Sequence, residues 1–130
     1  MIEISEVREF LNNLPEARVS DATIELQIEL ANTVVESEKS VAATPEQVKD
    51  AKLARAAHLT MLSYASQIER STGIVPAPII SHLAVLEELS ERLLRICQRG
   101  TPTYKPMNEQ WSTLLQQYVE GDIVEDWDRY

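Results

Sequence analysis

Apolar residues recur along most of this chain at steps of three and four, the spacing of one helix face. Residues 5–14 carry the first such stripe, made of Val7, Phe10, Leu11 and Leu14. Ser5 can cap its start, Glu6 suits the first turn, and Pro15 ends it. A second stripe begins at Ser20 or Asp21 and reaches about residue 39, with Ile24, Ile28, Ala31 and Val35 on one face and Leu26, Leu30 and Val34 beside it. Residues 24–30 also alternate as a strand would, but residues 31–35 break the alternation, which favours helix.

The third pattern is the clearest. Thr44-Pro45-Glu46-Gln47 is a capping box with proline at the first helical position. Ala51, Ala54, His58, Met61, Ala65 and Ile68 then keep to one face, and the helix can run to Ser71 or Thr72 before Gly73. Its length is on the order of 40 Å. Its alanines permit close approach of neighbouring helices. A fourth helix starts between Pro78 and Ser81 and ends at Arg99, with Leu83, Leu86, Leu89, Leu93 and Ile96 as its stripe. Arg92, Arg95 and Arg99 suit the negative end of its dipole, and Gly100 stops it. Beyond this point Thr101-Pro102-Thr103-Tyr104-Lys105-Pro106 reads as an extended strap. Asn108 can cap a short fifth helix through Trp111, Leu114, Leu115 and Tyr118, and Gly121 releases an acidic tail. The pattern therefore predicts an all-α fold: a four-helix body over residues 1–100, built on a long central hairpin, and an extended C-terminal arm over 101–130 carrying the fifth helix.

Length and charge narrow the function classes. The chain of 130 residues is one domain's worth. Its formal charge of −9 argues against wrapping nucleic acid through phosphate contacts. The charge is uneven: residues 1–40 carry nine acids and three bases, and residues 101–130 six acids and two bases, while the middle is nearly neutral. Solvated helix faces account for this pattern in its plain form. No apolar run approaches a membrane span, and the start of the chain lacks a secretory leader's basic and apolar stretches, so a cytosolic chain without a membrane partner is expected.

Candidate chemistry is sparse. No two glycines are close enough for a phosphate loop, and no His-Glu-x-x-His motif occurs. His58 lies on the apolar stripe of the third helix and reads as a satisfied interior histidine; His82, in the first turn of the fourth, reads as surface or a helix contact. Cys97 reads as a small buried hydrophobe. No catalytic residue, metal or cofactor is expected. The aromatic residues are the sharper asymmetry. Of seven, five lie in the last 27 positions: Tyr104, Trp111, Tyr118, Trp127 and Tyr130. Such rings on an arm, together with Leu115, are partner-docking anchors, or else the arm folds back onto its own body. Trp127, between Asp126 and Asp128, is the better interface candidate of the set.

A family resemblance rests on a few segments of the first hundred residues. In residues 56–73 an alanine-rich helix passes Tyr64, then the pair Glu69-Arg70, then a turn at Gly73. It follows Val7-Arg8-Glu9-Phe10-Leu11, Ser20-Asp21-Ala22-Thr23-Ile24 and Thr44-Pro45-Glu46-Gln47-Val48. Over residues 5–100 this order resembles the head–tail connector (adaptor) proteins of long-tailed bacteriophages and prophages. The resemblance implies a helical bundle without catalytic residues or cofactor, assembled in the host cytoplasm into the virion neck. Copies would form a ring, dodecameric in the family, docked on the portal protein and followed by a stopper or tail-completion protein. DNA would pass through the channel without specific binding. Glu69 and Arg70 would contact a neighbouring subunit, and the aromatic arm would grip the portal or the next copy. The fifth helix and acidic tail are not dictated by the family pattern. The rival readings are a small cytosolic helical binding or regulatory module with an acidic aromatic arm, and an enzyme subunit with a cryptic carboxylate site.

Overall fold

A computed structural model describes residues 2–99, 124 and 126–130. Among them the fold is all-α, with four helices and a final 3₁₀ turn: α1 (Ile4–Phe10), α2 (Asp21–Glu38), α3 (Pro45–Thr72), α4 (Ala77–Arg99) and the turn Trp127–Arg129. The strap and fifth helix expected over 101–119 lie outside the described residues.

Local chemistry sets each helix end. At α1 the cap is Glu3 rather than Ser5, and the Glu3 backbone N–H donates to Glu6 Oε1 at 3.2 Å. The helix stops at Phe10 instead of reaching Leu14 because Asn12 and Asn13 take left-handed φ of 56° and 61°. Asparagine tolerates that region better than most residues. Leu14 N–H then closes the turn onto Arg8 O at 3.1 Å. Arg8 also gathers the connection that follows: its guanidinium donates to Leu14 O and Val19 O, each at 3.0 Å, and to Asp21 Oδ1 at 2.6 Å. Ser20 caps α2 by accepting from Thr23 N–H. The Thr44–Gln47 box forms in both directions, at 3.2 and 2.9 Å. Gly73 ends α3 at φ 81°, its N–H donating to Glu69 O at 2.8 Å.

The long α3 lies against both α2 and α4. Ala51, Ala54, Ala56 and Ala57 of α3 are fully buried at these contacts, which lets three backbones approach closely. The interior falls into two clusters. The smaller joins Val35, Val48, Ala51, Ala54, Val85, Leu89, Leu93 and Cys97 at the end where α2 and α4 finish. The larger gathers α1, the first turns of α2, α3 from Leu53 to Ala65 and the start of α4, and it includes Val124 and Trp127. The last residues of the chain are thus part of the body's core, and a boundary at residue 100 does not separate core from arm.

Candidate functional site

The C-terminal residues converge on the connection between α1 and α2. Trp127 is 5% exposed. Its indole N–H donates to Leu11 O at 2.8 Å, and its ring meets Tyr64 edge-on with centroids 5.6 Å apart. Tyr130 also meets the indole edge-on, with centroids 6.4 Å apart. The Trp127 carbonyl accepts from Arg18 Nε and Nη2 at 3.3 and 3.2 Å. Upstream, Val124 O accepts from Asn12 Nδ2 at 2.8 Å, and Val124 N–H donates to His82 Nδ1 at 3.3 Å.

This seat overturns the expectation for Trp127. The indole is buried within its own chain, with its only polar hydrogen satisfied, so it is not a free anchor for a partner. Tyr130 is half-buried against it. Tyr104, Trp111, Leu115 and Tyr118 lie outside the described residues. The seat residues Asn12, Arg18 and His82 were not singled out by the sequence as a group. The Asn12-Asn13 pair was the one available sign of a left-handed turn there.

His82 is corrected as well. Of the two readings, surface or helix contact, the first falls: the side chain is fully buried. Because Nδ1 accepts from Val124, the proton of the neutral ring sits on Nε2, which has no hydrogen-bond partner among the described residues. Burial pushes its pKa down to about 4. His58 is interior as expected but not satisfied: its Nδ1 lacks a partner among the described residues, as do Arg55 Nε and Ser90 Oγ. Burial lowers its pKa, with Glu87 and Glu91 acting in the opposite sense. Cys97 is buried, its thiol donates to Gln47 O at 3.1 Å, and burial raises its pKa, which keeps it protonated and inert.

Next to the seat is an open cleft of about 410 Å³ lined by Tyr64, Ile68, Ile74, Pro76, Arg129 and Tyr130 among others. Ile74 is 75% exposed at its edge. Glu69 and Arg70 stand exposed in the last turn of α3, where Arg70 Nε donates to Ser66 O at 3.3 Å. Among the described residues no three His, Cys, Asp or Glu side chains are grouped to hold a metal. No described helix is long and apolar enough to cross a membrane. The fold and site thus define a helical bundle closed by its own C-terminus, with an apolar cleft beside that closure. No family model, curated protein or solved structure matches the chain.

Proposed function

We propose that this chain is a structural adaptor of a tailed-phage neck, forming a ring that docks on the portal protein and connects the DNA-filled head to the tail. The observation that carries the reading is the far end of the α3–α4 hairpin. There an exposed acid–base pair, Glu69 and Arg70, shares one end of the body with the half-open apolar cleft at Ile68, Ile74, Pro76 and Tyr130. Apolar ground bordered by charge is the composition of a protein contact. The helix order behind the resemblance also supports it: a long α3 passing Tyr64, reaching Glu69-Arg70 and ending at Gly73. A net charge of −9 suits a passage through which DNA slides, since acidic walls repel the duplex.

The test uses the full chain and the portal protein encoded in the same genome. Portal rings mixed with the chain should gain a layer of density in electron micrographs. The Glu69→Lys, Arg70→Glu double variant should weaken that layer. A portal that stays bare, or a genome with no portal or terminase gene near this one, sinks the reading.

A further inference from the structure

Two surfaces of this molecule are complementary to one another and cannot meet within one copy. On α2, Leu26 and Leu30 are 52% and 48% exposed, one turn apart on the side away from the buried Ile24, Ile28, Ala31 and Val35. Glu25 and Glu29 accompany them, also exposed, and take part in none of the ion pairs among the described residues. At the other surface, Arg92, Arg95, Ile96 and Arg99 line a shallow hollow of about 210 Å³ at the end of α4. Arg92 is held by Glu88 at 2.9 Å, but Arg95 reaches Glu91 only at 3.9 Å, and Arg99 is exposed. The helix dipole explains a cation at this end. It does not explain an isoleucine left half-exposed between the arginines.

The geometry of one copy keeps the surfaces apart. Ser40 N–H donates to Cys97 O at 2.9 Å, so α2 ends beside the end of α4. Leu30 lies nine residues before Lys39, roughly 14 Å back along α2. It also points away from the core that α2 and α4 share.

We propose that the outer face of α2 in one copy docks on the arginine-lined end of α4 in the next, with Leu26 and Leu30 against Ile96 and with Glu25 and Glu29 facing Arg95 and Arg99. The contact joins two different surfaces, so it propagates from copy to copy and closes into a ring if the rotation allows. It names a subunit contact of the ring proposed above, separate from the one expected at Glu69 and Arg70, and rests on that reading for its closure. Two crossing helices bury less than the roughly 1,600 Å² of a standard interface, so the association is weak and salt-sensitive.

The experiment is sedimentation of the full chain at about 1 mM, in low and in high salt, where a millimolar Kd is readable. Wild type should exceed the monomer mass in low salt and fall back toward it in high salt. Glu25→Lys with Glu29→Lys makes both surfaces basic, and Arg95→Glu with Arg99→Glu makes both acidic. Each variant alone should be monomeric with unchanged helical circular dichroism. An equimolar mixture should associate, because each variant supplies the charge the other has reversed. A wild type that is monomeric at this concentration, variants that associate as wild type does, or a mixture that stays monomeric overturns the proposal. A restored mixture beside a bare portal would leave this contact standing and remove the neck reading. A decorated portal with a charge-blind self-association would do the reverse.

Discussion

Trp127 sits where α1, the α1–α2 connection and α3 meet, and it shows why flanking acids do not keep a large ring in solvent. In a 3₁₀ turn successive side chains point about 120° apart. Asp126 and Asp128 therefore stay exposed while the indole between them turns inward. A one-dimensional reading of neighbours misses this, because the turn is too short to leave a periodic signal. Trp127→Ala should cost about 3–5 kcal/mol of stability, as large-to-small changes in cores do. Trp127→Phe keeps much of the packing but leaves Leu11 O without its donor, for about 1–2 kcal/mol. Urea unfolding checks both, and an unchanged midpoint for the alanine variant would place the indole outside the core. His82 yields a pH prediction. Its folded pKa of about 4 lies below the ordinary 6.5, so between these values the unfolded chain holds a proton that the folded one does not. Its contribution is intact above pH 6.5, is lost as pH falls toward 4, and totals about 3 kcal/mol. His58 acts in the same sense. His82→Leu leaves Val124 N–H without its acceptor and so should be less stable than wild type at pH 8, yet it should lose less between pH 6.5 and 4. Parallel curves across that window would contradict the assignment.

At the scale of elements, the sequence was most legible where caps are chemical. The Thr44–Gln47 box and Gly73 bound α3 where the spacing placed them. Ser20 likewise starts α2. The miss at α1 came from treating Leu14 as the next member of a helical stripe. It is buried, at 1% exposure, but it arrives there through the left-handed pair Asn12-Asn13 rather than by continued helix. Burial and helical spacing coincide for one residue without implying helix. Two substitutions measure what the ends of α3 contribute. Thr44→Ala removes the acceptor for Gln47 N–H and should cost about 1 kcal/mol in thermal unfolding. Gly73→Ala should cost a similar amount, about 1 kcal/mol, through backbone strain alone. At φ 81° an added Cβ would find nothing within 4 Å to clash with. A Gly73→Asn variant should recover part of that loss, since asparagine enters the left-handed region more readily. Between elements, Glu36 of α2 is held first by Lys52 of α3 at 2.6 Å, and also by Lys39 at the end of its own helix at 2.9 Å. These pairs bring its pKa down to about 2, so this link persists until pH falls well below the window in which His82 titrates.

For the molecule as a whole, the aromatic asymmetry that the sequence displays has two explanations, and the two arm aromatics among the described residues, Trp127 and Tyr130, favour the one in which the arm folds back. The body core is built from aliphatic residues and alanine, as the composition of the first hundred positions requires. Its largest cluster is nevertheless completed from the far end of the chain, by Val124 and Trp127. A contact across more than a hundred residues has no signature in local periodicity, which is why the closure was not legible while the helices were. It changes what truncation should do. Removing residues 124–130 strips the cover from Leu11 and Tyr64. It also leaves Asn12, Arg18 and His82 without the backbone partners they hold at 2.8–3.3 Å. The buried valine and tryptophan alone are worth about 4 kcal/mol on transfer energies. In a domain of this size that lowers the melting temperature by roughly 10–15 °C. The shortened chain should remain helical at low temperature, because the second cluster contains no residue of the C-terminal segment. It should bind a hydrophobic dye at the opened seat. A truncated chain that melts with the full one and takes up no dye would show that the body stands without its last residues, and that the closure is a surface contact rather than core.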